Sequence, residues 1–201
     1  MIAIIDYGAG NLRSVEKAFA YLGYETVVSS DENVLLSADK IVLPGVGAFA
    51  DAMNMLRDSG LDLTVKKAVE RKIPLLGICL GMQMLFESSE EGAEVPGLAV
   101  FKGKIKKFEE TSGFKIPQIG WNSIKIKEGT KLFKDIPNDS YVYFVHSYYL
   151  DAEDKNVVAA TCDYIHPFHA AVESGNVFAC QFHPEKSGKT GLAILKNFAE
   201  M

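Results

Sequence analysis

The apolar run Pro74-Leu75-Leu76-Gly77-Ile78 ends at Cys79, and Leu80-Gly81-Met82-Gln83 then opens a helical pattern. A strand that turns sharply into a helix lifts one side chain out of the turn, and here that side chain is a thiol with a glycine two residues to either side. Tight turns favour residues without a Cβ. A helix start also points N–H groups and positive dipole at the sulfur, which favours thiolate over thiol. A strand cysteine that only packs is the competing reading, since free cysteines are commonly buried.

A nucleophilic thiol needs a base. Of the four histidines, His183 lies in Val177-Phe178-Ala179-Cys180-Gln181-Phe182-His183-Pro184-Glu185. Pro184 drives its predecessor out of the helical region, so His183 is expected at an extended strand end. The stiff path through proline brings the Glu185 carboxylate within reach of the imidazole Nδ1–H, leaving Nε2 for a thiol proton. Cys79, His183 and Glu185 thus read as nucleophile, base and orienter. A third segment, Lys40-Ile41-Val42-Leu43, runs into Pro44-Gly45-Val46-Gly47-Ala48-Phe49. Glycines on both sides of Val46 let the backbone turn an N–H into a cleft. Acyl transfer from an amide develops a tetrahedral oxyanion that needs two such donors. Leu80 N–H and the loop around Val46 and Gly47 are the expected pair. Gln83, one turn after the thiol, shares its helix face and is a candidate substrate contact. The same loop could merely permit a turn, or bind a phosphate at a helix start.

These groups need elements to hold them. Ile2–Ile5, Glu25–Val28, Ile41–Leu43 and Leu75–Ile78 read as buried strands. Leu12–Leu22, Ala48–Arg57, Leu61–Arg71 and Leu80–Glu87 read as helices, the first presenting Val15, Phe19 and Leu22 on one face and stopping at Gly23. That alternation predicts a parallel sheet covered on both faces. The second half offers short strands with little helix: Lys104–Phe108, Ser123–Ile126, Tyr141–Phe144, Val157–Thr161, Ala170–Glu173 and Val177–Phe182. Ser174-Gly175-Asn176 reads as a hairpin turn, the Glu-rich stretch Ser88–Pro96 as an exposed loop, and Thr190–Phe198 as a closing helix. The expected class is α/β, with a mixed, mainly parallel central sheet, helices on both faces and added antiparallel strands in the C-terminal half. Pro44, Cys79 and His183 all follow strand ends, where open α/β sheets carry their sites.

Composition narrows the function. The 201 residues read as one domain, and 48% hydrophobic with 23% charged residues excludes disorder. A net charge of −5 without a basic run argues against nucleic acid. The three cysteines, Cys79, Cys162 and Cys180, form no C-x-x-C pair, so neither a disulfide framework nor a zinc site is expected. Cys162 and Cys180 read as packing residues. The N-terminus does not read as a signal peptide, and no apolar run approaches a membrane span, so the cytoplasm is expected.

Pro44-Gly45-Val46-Gly47, Gly77-Ile78-Cys79-Leu80-Gly81-Met82-Gln83 and His183-Pro184-Glu185 resemble the signature segments of the class I (triad) glutamine amidotransferases. Asp6-Tyr7-Gly8-Ala9-Gly10-Asn11, Ile119-Gly120-Trp121-Asn122 and Tyr143-Phe144-Val145-His146-Ser147-Tyr148-Tyr149 are similar, more narrowly, to the family of glutaminase subunits of imidazole glycerol phosphate synthases. Gln118 departs from this pattern, which leads one to expect histidine there. The resemblance implies a single, flavodoxin-like amidotransferase domain over residues 1–201 that hydrolyses glutamine without cofactor or metal. It implies that Gly45, Ser147 and Tyr148 help hold glutamine, mainly through backbone groups, and that Asn11, Trp121, Tyr143 and Lys186 face a partner. That partner would be a (β/α)8-barrel cyclase subunit, bound as a heterodimer and receiving ammonia through a tunnel in histidine biosynthesis. Such subunits are nearly idle alone and wake when the partner binds its nucleotide; a flip of the peptides around Val46 is a physical route to that switch. The glutaminase unit of an anthranilate, GMP or pyridoxal phosphate synthase, a stand-alone γ-glutamyl hydrolase, and a non-catalytic module are the other readings. The Gly45-Val46-Gly47 spacing and the Trp121 and His146–Tyr149 segments argue against the first.

Overall fold

A computed structural model describes residues 1–92 and 94–201. The N-terminal half runs β1 (Ile2–Ile5), α1 (Leu12–Tyr21), β2 (Thr26–Ser29), α2 (Glu32–Ser37), β3 (Lys40–Gly45), α3 (Phe49–Asp58), α4 (Leu61–Glu70), β4 (Leu75–Cys79) and α5 (Leu80–Met84). There follow β5 (Ser88–Ser89), β6 (Gly103–Lys107), β7 (Gln118–Ile126), β8 (Ser140–His146), β9 (Tyr148–Ala152), β10 (Val158–Asp163), β11 (Pro167–Ser174), β12 (Val177–Cys180) and α6 (Gly188–Ala199).

One sheet carries all the strands, in the order β2-β1-β3-β4-β12-β11-β10-β7-β8, with β9, β6 and β5 branching from β11. The pairings from β2 to β12 are parallel and those from β12 to β8 antiparallel. Successive strand residues point to opposite faces, which splits the core in two. Ala3, Ile5, Ile41, Leu43 and Leu75 join residues of α2, α3 and α4 on one face. Ile2, Ile4, Val42, Leu76 and Ile78 meet α1 and α6 on the other. The mixed sheet with helices on both faces matches the expected architecture.

Three differences have local causes. α2 is a helix that the sequence reading left out; the Asp31 carboxylate accepts the Asn33 N–H at 2.7 Å and caps it. β9 was likewise not expected; it pairs antiparallel with β6. Ser88–Pro96 is not simply an exposed loop. Ser88 and Ser89 pair with β6, and Ser89 is buried; Ala93 within this stretch lies outside the described residues.

Candidate active site

β4 sits between β3 and β12, with Cys79 opposite Gly45 and Ile78 opposite Cys180. Three strands therefore end together at the carboxyl edge. Cys79 has φ 54° and ψ −111°, a backbone conformation that L-residues rarely adopt and that costs about 1–3 kcal/mol. Gly81 makes the turn feasible. A Cβ at that position would stand 1.9 Å from the Leu43 carbonyl oxygen, so α5 can tuck under β3 only without one. α5 stops at Met84 rather than continuing to Glu87 as expected. The Leu85 and Phe86 N–H groups turn back only three residues, to the Met82 and Gln83 carbonyls, and the Glu87 N–H leaves the helix for the Gly103 carbonyl. So short a helix adds little macrodipole at the sulfur.

His183 is extended, with φ −99° and ψ 96°, as the following proline requires, and Pro184–Lys186 make one 3₁₀ turn. The loop is stapled to β8. His183 N–H donates to the Tyr143 carbonyl at 2.9 Å, and Ser187 Oγ donates to the His183 carbonyl at 2.6 Å while accepting Tyr143 N–H at 2.9 Å. The imidazole Nδ1 lies 2.9 Å from Glu185 Oε1, and both side chains are almost wholly buried. Its other nitrogen is left for the Cys79 thiol, which lines the same cavity. Burial pushes the imidazole down, but the neighbouring Cys79 and Glu185 override it and raise the pKa to about 9. Asn11 Nδ2 donates to Glu185 Oε1 at 3.4 Å. Glu185 Oε2 is buried without a hydrogen-bond partner among the described residues.

Cys79, Leu80, Gln83 and His183 line a cavity of about 280 Å³ together with Val46, Gly47, Ser147 and Tyr148. Gly45 lies beneath it, packed on Leu80 and Gly81. Val46 is exposed, and a Cβ on Gly47, whose φ is +94°, would meet nothing within 4 Å, so this loop has room to rotate. The Tyr7 hydroxyl donates to the Pro44 carbonyl at 3.0 Å and ties the start of the loop to the β1–α1 turn. Trp121 packs edge-to-face on Tyr143 with ring centres 6.1 Å apart, and Gly188, at the start of α6, lies against its ring. Lys186 is exposed, and Asn11 reaches inward to the triad rather than outward.

The chain matches the family described as "Glutamine amidotransferase class-I" over residues 3–201. It is 51% identical over its whole length to imidazole glycerol phosphate synthase subunit HisH of Caldanaerobacter subterraneus, covering 98% of that protein. Identity to the same subunit of Methanosarcina mazei is 50%, over 100% of this chain and 98% of that one. The chain belongs to the HisH group of class-I glutamine amidotransferases. A crystal structure of a glutamine amidotransferase shares the fold at a TM-score of 0.77 and 20% identity, over 100% of this chain and 98% of the other.

The amidotransferase cavity also holds groups to which the sequence reading gave no role. Glu91 lies in its wall and accepts the Phe49 N–H at 2.9 Å, capping α3. Burial raises the Glu91 carboxyl, against the pull of that N–H. His146 lines the wall, and Gln181, Gln118 and Ser187 are buried around it and around the His183 loop. His146 and Gln118 had a sequence signal as motif positions; Ser187 precedes a closing helix that starts at Gly188, earlier than the expected Thr190. Gln118, where histidine was expected, meets His146 Nε2 at 3.0 Å. Cys162 and Cys180 pack in the core, where burial raises the Cys162 thiol to about 12 and Cys180 well above its ordinary value.

Proposed function

We propose that residues 1–201 act as one glutaminase domain that releases ammonia from glutamine for a (β/α)8-barrel cyclase subunit, in a cytoplasmic imidazole glycerol phosphate synthase. The observation that carries this reading is the meeting of Cys79 and His183 in one cavity, with Glu185 on the far imidazole nitrogen. Glutamine enters with its side-chain amide over the sulfur. Glu91 offers a carboxylate to the substrate ammonium, and the Ser147–Tyr148 backbone and Gly45 loop hold the rest. His183, with its high proton affinity, holds the proton of the thiol, and the thiolate attacks the amide carbon. Leu80 N–H and a donor at Val46 or Gly47 hold the oxyanion; losing one typically raises the barrier by ~3 kcal/mol. The carbon–nitrogen bond breaks, His183 gives its proton to the departing nitrogen, and ammonia leaves. Water then hydrolyses the γ-glutamyl thioester to glutamate and restores the thiol.

Free ammonia protonates at neutral pH and loses its nucleophilicity, so it must pass directly to a second site. The surface beside the His183 loop, with Trp121, Tyr143 and Lys186, is where the cyclase would dock as a heterodimer. There ammonia would join a phosphoribulosyl formimino carboxamide nucleotide to give imidazole glycerol phosphate and aminoimidazole carboxamide ribotide. The test is glutamate release by the chain alone, with the cyclase, and with the cyclase plus its nucleotide. Release is expected to be slow alone, to rise by orders of magnitude in the full complex, and to vanish with Cys79→Ala. A Cys79→Ala complex that still turns over at the normal rate overturns the reading.

A further inference from the structure

Gln181 is completely buried just ahead of His183, with its main-chain N–H on the Ala170 carbonyl at 2.8 Å. Its side chain ends a run of hydrogen bonds through the floor of the cavity. Gln83 Nε2 reaches both the Tyr148 carbonyl at 3.3 Å and Gln181 Oε1 at 3.0 Å; Gln181 Nε2 lies 3.7 Å from Cys79 Sγ. The direction of this run is set by one atom. A backbone carbonyl only accepts, so Gln83 must turn its N–H₂ group toward Tyr148. That same nitrogen then faces Gln181, which must answer with its oxygen. The Gln181 N–H₂ is thereby forced toward the sulfur. His146 reinforces the origin: its Nδ1–H donates to the same Tyr148 carbonyl at 2.8 Å. The other ring nitrogen, Nε2, lies 3.0 Å from Gln118 Oε1.

A donor aimed at sulfur stabilises the thiolate more than the thiol, because bonds to an ionised acceptor are the stronger ones. We propose that Gln181 is a further catalytic residue, whose amide N–H bond supports the Cys79 thiolate and fixes the sulfur in place, with Gln83 as the positioning residue that turns that amide toward it. This rests on Cys79 being the nucleophile. It also gives Gln83 a duty other than touching glutamine, since the two N–H groups of its amide are already engaged inside the protein.

The experiment alkylates the full-length chain with iodoacetamide across pH and measures kcat and KM in the cyclase complex, using Cys79→Ala to subtract any reaction at the two core cysteines. Gln181→Met removes the donor at similar length; Gln181→Glu keeps the shape but puts an anion beside the sulfur. Alkylation at neutral pH is expected to fall about tenfold in Gln181→Met and further in Gln181→Glu. The profile should move to higher pH in both, and kcat should fall with KM within about twofold of wild type. Gln83→Met, which leaves Gln181 present but unheld, should lie between wild type and Gln181→Met. Folded Gln181 variants with wild-type profiles overturn the proposal; if they do not fold, a wild-type profile in Gln83→Met does so. A wild-type Cys79 that iodoacetamide never modifies would instead overturn the nucleophile reading beneath it.

Discussion

His146 is buried in the cavity wall with Nδ1 on the Tyr148 carbonyl and Nε2 on Gln118. Burial lowers its pKa to about 4, the Tyr148 bond opposes this, and the nearby His183 charge adds to the lowering. In the unfolded chain the same group titrates near its ordinary value of 6.5. Between these values the unfolded state holds more protons, so stability falls as pH drops from 6.5 toward about 4. Only the upper part of that window is crossed on going from pH 7 to pH 5, a loss of about 2 kcal/mol. Urea midpoints at both pH values should show the gap between wild type and His146→Gln narrowing by that amount at the lower pH. A constant gap would mean that His146 is not held neutral. The sequence placed His146 in a motif but could not show its charge state, which depends on what surrounds it.

The elements that build the site meet at the shared carboxyl edge of β3, β4 and β12, where glycines do two different jobs. At Gly81 an added methyl would strike the Leu43 carbonyl, and neither backbone can yield without parting β3 from the elbow. Gly81→Ala should cost about 3 kcal/mol or more of stability. At Gly47 the space is open and only the positive φ resists a side chain, so Gly47→Ala should cost about 1 kcal/mol. Denaturant melts of the two variants should rank them in that order; equal losses would overturn the steric account of the elbow. Both glycines were visible as letters, but only the packing told close approach from backbone freedom. The early end of α5 has the same origin. Its periodic pattern runs on, yet the Glu87 N–H that would have extended the helix pairs with the Gly103 carbonyl instead. α2 and β9 were missed because each is short and its apolar pattern weak.

At the scale of the whole molecule, three of the exposed apolar side chains lie near the active site. Trp121 is 55% exposed, Ile119 63% and Val46 40%, next to the loop that carries His183. Apolar groups so placed gain most from being covered, and large aromatics commonly dominate such contacts. Trp121→Ala should weaken binding to the cyclase by about 2 kcal/mol, roughly thirtyfold in Kd, while changing the isolated chain's stability by less than about 1 kcal/mol. Titrating the cyclase into the variant and following glutamate release checks this. An unchanged Kd would move the docking surface elsewhere.

The sequence by itself determined the elbow at Cys79, the extended His183 before its proline and the parallel character of the first half. Each follows from sterics and periodicity within a few neighbouring residues. Tertiary structure alone decided that β12 lies beside β4, which carries His183 to the sulfur. It also decided that Gln83 meets Gln181, that Glu91 caps α3 and that Asn11 reaches Glu185. Such contacts join residues far apart along the chain, and no local preference records them; they exist only once the sheet has chosen its strand order.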